Sequence, residues 1–142
     1  MIYIEESSFE KRIYLLSEYS RHEPLEIVIW LYPESGIDSI LEEGIFEPST
    51  VNATPATTYE DGKNARCTQR LRLNDELINK IAQEKHTIMQ HSDSLCIYNH
   101  NNPEWQACLI GHEGIILIKN NALLNKFKAI GFNTSLSAPS WW

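Results

Sequence analysis

The chain has 142 residues, of which 42% are hydrophobic and 22% charged, the proportions of an ordinary globular protein. Its length predicts a single domain spanning residues 1–142. A net charge of −7 and a pI near 5.2 argue against binding to nucleic acid, whose protein partners are basic, and the longest apolar stretch, Ile27–Tyr32, is too short to span a membrane.

The first fifty residues predict two helices around one strong strand. Ser7 and Glu10 have the spacing of a capping box, and the apolar residues that follow recur on one face of a helix over residues 8–21. Leu25–Tyr32 is apolar on both faces except for one Glu, which predicts a strand in the interior of a sheet. Ser35–Glu43 predicts a short helix that ends before a glycine.

Residues 47–64 are rich in Pro, Thr and Asn and show no periodicity, so they predict a long loop of the kind that is often functional or disordered. The next segment, Arg66–Leu73, alternates between apolar and polar residues and predicts a strand. Its polar face carries Arg66, Arg70 and Arg72, which predict either internal ion pairs with the acidic residues or a small anion site. Internal pairing is the more economical interpretation, because carboxylates of the same molecule are available.

A third helix is predicted from Asn74, which can cap it, to about Gln90, with an apolar stripe that ends at Ile88 and Met89. A last helix is predicted over residues 122–130, before Gly131. Three successive strands separated by turns are predicted between these helices, at Leu95–Asn99, Trp105–Ile110 and Ile115–Lys119.

With a further short strand at Ile2–Ile4, these elements predict an α+β fold. We expect one mixed sheet of about six strands, flanked by helices and ending in a three-stranded antiparallel meander. The residues expected to be buried are Ile27, Ile29, Leu31, Ile81, Leu109, Ile116, Leu124 and Phe127.

The negative charge is concentrated in residues 1–50, which hold eleven acidic and three basic side chains. A field of one sign attracts a partner of opposite charge and raises its association rate, although it also keeps a small protein soluble. The acidic residues proposed to face a partner are Glu34, Asp38, Glu42, Glu43 and Glu47. Tryptophans anchor many protein interfaces, and the candidates here are Trp105, Trp141 and Trp142. The sequence leaves open whether the terminal pair packs onto the domain or is exposed.

Cys96, His100, Cys108 and His112 are spaced in a pattern that resembles a zinc site. Residues four apart on a strand are separated by about 13 Å, whereas zinc ligands must lie within about 2.3 Å of one ion. We therefore expect Cys96 and Cys108 to face each other across a hairpin as buried thiols, and we predict no metal or other cofactor. The run 91–94 (HSDS) places Ser, His and Asp side by side in sequence, which does not by itself build a catalytic triad.

One segment, Tyr32 to Ile45, resembles the strand and "IL..GI" helix that open the NAD-binding half of small ADP-ribosyltransferases. The resemblance covers about fifteen residues. It implies an NAD-binding enzyme with Glu104 as the catalytic carboxylate, although Tyr32 stands where the family presents a His or Arg.

The sequence therefore favours a protein-binding domain over an enzyme. The concrete expectation is a bacterial immunity protein that neutralises a basic toxin or nuclease stoichiometrically. The alternative is an ADP-ribosyltransferase-like enzyme that uses Tyr32 and Glu104. The amino-terminal residues lack the cationic segment of a signal peptide, and an odd number of cysteines suits a reducing compartment, so we expect a cytoplasmic protein.

Overall fold

A computed structural model describes residues 1–21, 23–37, 40–41, 46–60 and 62–142. Within these ranges the helices are α1 (Phe9–Ser20), α2 (Asp75–Gln83), α3 (Lys85–His91) and α4 (Leu124–Ala129). The strands are β1 (Ile2–Glu5), β2 (Leu25–Leu31), β3 (Arg66–Cys67), β4 (Leu71–Arg72), β5 (Ser92–Asn99), β6 (Trp105–Ile110), β7 (Ile115–Ile118) and β8 (Thr134–Ser135). Among these residues no helix combines the length and the apolar character needed to cross a bilayer.

All the strands join one sheet in the order β3-β2-β5-β6-β7-β1-β8, and β4 pairs with β2 beside β3. The predicted α+β fold with a single sheet is confirmed, and so is the antiparallel meander of β5, β6 and β7. Every strand pair in the described residues is antiparallel, however, whereas we expected a mixed sheet.

The strand β2 is an interior strand, as predicted, with β5 on one side and the short β3 and β4 on the other. All seven of its residues are buried. Alternate side chains of a strand point to opposite faces, so a strand that is buried throughout needs cover on both faces of its sheet. Helices cover one face here, and a long loop covers part of the other.

The face under the helices holds the larger core. Of the eight residues predicted to be buried, seven are buried and lie in it, while Leu124 is only partly buried. Ser8 caps α1 by accepting a hydrogen bond from the backbone N–H of Lys11, at 3.3 Å. Phe127 of α4 packs edge-on against Tyr19 of α1 at 6.2 Å between ring centroids.

The third predicted helix is wrong in detail, because Glu84 interrupts it and divides it into α2 and α3. In α3, Ile88 is buried but Met89 is 57% exposed, so the predicted apolar stripe does not include Met89. The predicted helix Ser35–Glu43 is not present at its described residues, 35–37 and 40–41, and the rest of it lies outside the described residues.

The predicted strand Arg66–Leu73 is also interrupted. It forms β3 and β4, and between them Thr68 and Arg70 turn inward while Cys67 is exposed. The reason is hydrogen bonding to β2, because the Thr68 hydroxyl accepts the N–H of Ile29 at 3.0 Å. A buried salt bridge to β2 holds Arg70 in the same way.

Candidate binding groove

The second face of the sheet is covered by the loop that follows β2 and not by a helix. Its buried apolar cluster includes aromatic rings and thiols, and among the described residues it contains Val28, Trp30, Cys96, Tyr98, Cys108, Ile110, Ile115 and Leu117. Ala53 and Ala56 of the loop pack against them. The segment 51–60 therefore packs against the core of this face, although its sequence has no periodicity.

Polar side chains of the sheet hold this loop in place. The Tyr98 hydroxyl donates a 2.8 Å hydrogen bond to the carbonyl of Thr54 and accepts one from the Trp30 indole at 3.2 Å. The Ser94 hydroxyl donates to the carbonyl of Ala56. Since the bonds from Tyr98 and Ser94 end on loop carbonyls, the position of the loop depends on strand residues that the sequence pattern alone would assign only to the core.

An open groove with a volume of about 720 Å³ lies between this loop, the sheet and the carboxyl-terminal residues. Its floor is apolar and includes Cys108, Ile110 and Leu117. The carboxylates of Glu60 and Glu113 also line it, and both residues are exposed. The groove thus combines an apolar floor with negative charge at its rim.

All three tryptophans predicted to contact a partner line this groove. Trp141 and Trp142 are 51% and 46% exposed, and their rings pack edge-on at 6.2 Å between centroids. The sequence left open whether this pair packs onto the domain or is exposed. In the structure the pair borders the groove and keeps about half of its surface in solvent. The Lys119 ammonium lies over the Trp105 ring, 4.1 Å from the ring centroid.

A polar cluster stands at one end of the groove, where β2 ends and β6 turns into β7. Asp93 is completely buried and accepts hydrogen bonds from the backbone N–H and the hydroxyl of Thr58, at 2.8 and 2.5 Å. His112 lies 3.5 Å from the Thr58 hydroxyl through Nε2 and 2.9 Å from the Tyr32 hydroxyl through Nδ1. Burial, and then the charges of Asp93, Glu34 and Glu113, raise the pKa of Tyr32.

The order of these groups decides what they can do. In a catalytic triad the imidazole stands between the carboxylate and the hydroxyl, so that it can remove the hydroxyl proton while the carboxylate orients it. Here the Thr58 hydroxyl stands between Asp93 and His112 and donates its hydrogen bond to the carboxylate, not to the imidazole. The cluster therefore fastens the loop to the sheet and does not build an activated nucleophile.

The predicted acidic surface is only partly described. Asp38, Glu42 and Glu43 lie outside the described residues. Glu34 is exposed near Tyr32, and Glu47 forms an exposed salt bridge with Arg72 at 3.3 Å. The negative groups at the groove are instead Glu60 and Glu113, which the sequence did not single out.

The basic residues predicted on the strand after the loop serve internal contacts. Arg70 and Glu26 form a buried salt bridge at 3.2 Å, and Arg66 donates to the carbonyls of Ser35 and Ile37. Burial alone would raise the pKa of Glu26, but hydrogen bonds from Ser49 and Arg70, together with the charge of Arg70, lower it. Together with the pair between Glu47 and Arg72, these contacts agree with internal pairing.

Tyr32 and Glu104, the residues of the enzyme alternative, are at opposite ends of the sheet. Tyr32 follows Leu31, which pairs with Ser92, while Glu104 precedes Trp105, which pairs with Tyr98. The two ends of β5 that they adjoin are six residues apart, or about 20 Å. The two side chains do not share one site in this fold.

The two predicted core thiols are buried and face each other across β5 and β6, as expected. The Sγ atoms of Cys96 and Cys108 are 3.1 Å apart, and burial raises the pKa of Cys96. His100 and His112 adjoin opposite ends of the hairpin and contact Glu26 and Tyr32. No group of three or more metal-ligating side chains occurs among the residues that the structure describes.

Sequence reasoning missed Asp93, Thr58 and His112 as parts of one cluster. One signal was available for Asp93, which stands just before the apolar run 95–98. If the strand begins before that run, as β5 does at Ser92, the carboxylate is buried and needs a hydrogen-bond partner. Nothing in the loop sequence marks Thr58 as its partner.

Comparison with protein-family models, curated proteins and solved structures found no match to this chain.

Proposed function

We propose that this chain is a protein-binding domain whose groove accepts a basic segment of a protein partner. The observation that carries the proposal is the convergence of Trp105, Trp141 and Trp142 on one open groove that is also lined by Glu60 and Glu113. These tryptophans come from two distant parts of the chain. Tryptophan provides a large contact area at small entropic cost and is enriched in interface hot spots.

The aromatic and acidic lining is suited to lysine and arginine side chains. Within the molecule, Lys119 already shows this arrangement, since its ammonium lies over the Trp105 ring and 3.8 Å from a Glu104 carboxylate oxygen. A cation near an aromatic face and a carboxylate gains from both. Trp141 and Trp142 offer the same surface beside Glu113, and no cation covers them among the described residues.

The charge of the whole chain favours the same class of partner. A net charge of −7 accelerates the approach of a basic protein and repels acidic ones. The specific form of the proposal is a cytoplasmic bacterial immunity protein that blocks a basic toxin or nuclease in a one-to-one complex. Contacts in the groove then stabilise the complex, and the surrounding carboxylates raise the association rate.

The proposal is tested by capturing the partner from the native cells on the immobilised 142-residue chain. We expect one prominent protein of basic pI, whose retention falls at least tenfold when Trp141 and Trp142 are both replaced by Ala. Tyr14→Ala is the matched control, because Tyr14 is also 46% exposed but lies on α1, against Phe132.

Association kinetics then separate the groove from the overall charge. Glu60→Gln with Glu113→Gln is expected to slow association several-fold at low salt and to have a smaller effect at high salt. Equal capture by the wild type and the double tryptophan variant would refute the groove as the binding site. A partner of acidic pI would refute the electrostatic part of the proposal.

A further inference from the structure

The two buried arginines of the described residues differ in how their charge is balanced. Arg70 is 4% exposed and has the carboxylate of Glu26 at 3.2 Å. Arg12, in α1, is 6% exposed, and its Nε and Nη2 donate to the carbonyls of Glu6 and Gly111 at 2.8 and 3.0 Å. Its Nη1 contacts no acceptor among the described residues, and no carboxylate there forms an ion pair with it.

A buried cation without a counterion is costly, so the surroundings of Arg12 matter. Burial lowers the pKa of Arg12, and the charge of Glu6 opposes this shift only in part. Glu6 is itself engaged, because it accepts the N–H of Ser8 at 2.8 Å and lies 3.6 Å from the Lys11 ammonium. The carboxylate whose charge acts on Arg12 therefore serves the start of α1 and does not neutralise Arg12 by direct contact.

Arg12 lines a cavity of about 110 Å³ between α1, α3 and the sheet. Beside it are Gly111 and the hydroxyl-bearing Ser92. The remaining wall is mostly apolar and includes Phe9, Ile13, Ile88, Leu95 and Leu109. A cavity with one buried cation and apolar walls is suited to a ligand that has one negative group and a short apolar body.

The size of the cavity limits that ligand. One water needs about 10–15 Å³ of such volume, so 110 Å³ provides room for roughly eight waters or a similar number of heavy atoms. We propose that this cavity is a binding site for a small monocarboxylate of about six carbons, with its carboxylate on Nη1 of Arg12 and its apolar body between α1, α3 and β6. The site is separate from the tryptophan groove.

The test is calorimetric titration of the full chain with sodium hexanoate at constant ionic strength, with hexanamide as the uncharged ligand of the same shape. We expect hexanoate to bind with a dissociation constant of about 1 mM or below and hexanamide at least tenfold more weakly. Amide chemical shifts of Leu109 and Gly111 should move in the same titration.

Two variants locate the site. Arg12→Gln is expected to weaken hexanoate binding at least tenfold, while Arg21→Gln, which removes an exposed guanidinium at the end of α1, should leave it unchanged. Ile13→Phe keeps Arg12 but fills the cavity, so it should also abolish binding, and it decides the matter if Arg12→Gln does not fold. Equal affinity for the two ligands, binding that survives Ile13→Phe, or no saturable binding below about 20 mM would each overturn the proposal.

Discussion

The two faces of the sheet are stabilised in different ways. The face under the helices is a continuous apolar core, in which rings such as Phe127 and Tyr19 pack edge-on without polar contacts between them. The face under the loop is smaller and contains a series of hydrogen bonds from buried side chains, including Asp93 and Tyr98, to the backbone of the loop. One face relies on burial of apolar area, and the other on satisfied polar groups.

This difference explains why the loop-covered face is the better place for binding. A loop held by individual hydrogen bonds covers only part of the sheet, so an apolar floor remains accessible beside it. The helices leave less room on the other face, where the cavity beside Arg12 has a volume of about 110 Å³. The open groove is thus a consequence of the way in which this face is covered, and each prediction below perturbs one of the two faces.

The largest effect is expected on the helix-covered face. Phe127→Ala removes a fully buried ring between Tyr19 and Phe132 and should lower the free energy of unfolding by about 3–5 kcal/mol. Urea denaturation measures it. Lys128→Ala, an exposed change on the same helix, should cost less than about 0.5 kcal/mol, and a similar loss for both would show that α4 contributes little packing.

On the loop-covered face, Asp93→Ala leaves two donors of Thr58 without their acceptor and should cost about 2–3 kcal/mol. We expect the loss to appear mainly as local opening, with faster hydrogen exchange and proteolysis in 51–60 at little change in the rest of the sheet. Thr58→Val, which removes only the hydroxyl, should show a milder form. Uniform loss of protection across all strands would contradict the local role of Asp93.

Alkaline pH tests the helix-covered face again. Burial, and then the charge of Glu23, raise the pKa of Tyr19 to about 12, above its usual value of 10. Because the unfolded chain ionises first, the contribution of Tyr19 to stability is complete below pH 10 and is lost progressively as the pH rises to about 12, by about 2–3 kcal/mol. Tyr19→Phe should reduce this loss. Denaturation curves between pH 8 and 12 that are identical for both proteins would refute the assignment.

Removal of one core thiol should have a smaller effect. Cys96→Ala or Cys108→Ala deletes a small group from the loop-covered core and should cost about 1–2 kcal/mol. Cys67→Ala is the matched control, because Cys67 is exposed and should cost less than about 0.5 kcal/mol. Stoichiometric zinc in the purified protein, released by either core substitution, would show that the two thiols bind metal after all.

The sequence predicted the helix-covered face better than the loop-covered one. Apolar periodicity identifies a residue such as Phe127 because burial alone places it, and the apolar run of β2 and the three strands of the meander predict the sheet. The hydrogen bonds that hold the loop join residues distant in sequence, such as Asp93 and Thr58, and a single sequence contains no periodic signal for such contacts. The tryptophans were identifiable by residue type, but their convergence depends on the path of the loop.

The smallest effect on stability is expected where the effect on binding is largest. Trp141 and Trp142 are half exposed at the end of the chain, so replacing both by Ala should change the free energy of unfolding by less than about 0.5 kcal/mol. Near-ultraviolet circular dichroism should lose the signal of the edge-on pair while the far-ultraviolet spectrum stays the same. If the double variant instead destabilises the domain by 2 kcal/mol or more, the pair holds the loop-covered face closed. The groove would then be a gap in the packing, and the two faces would differ only in how completely they are filled.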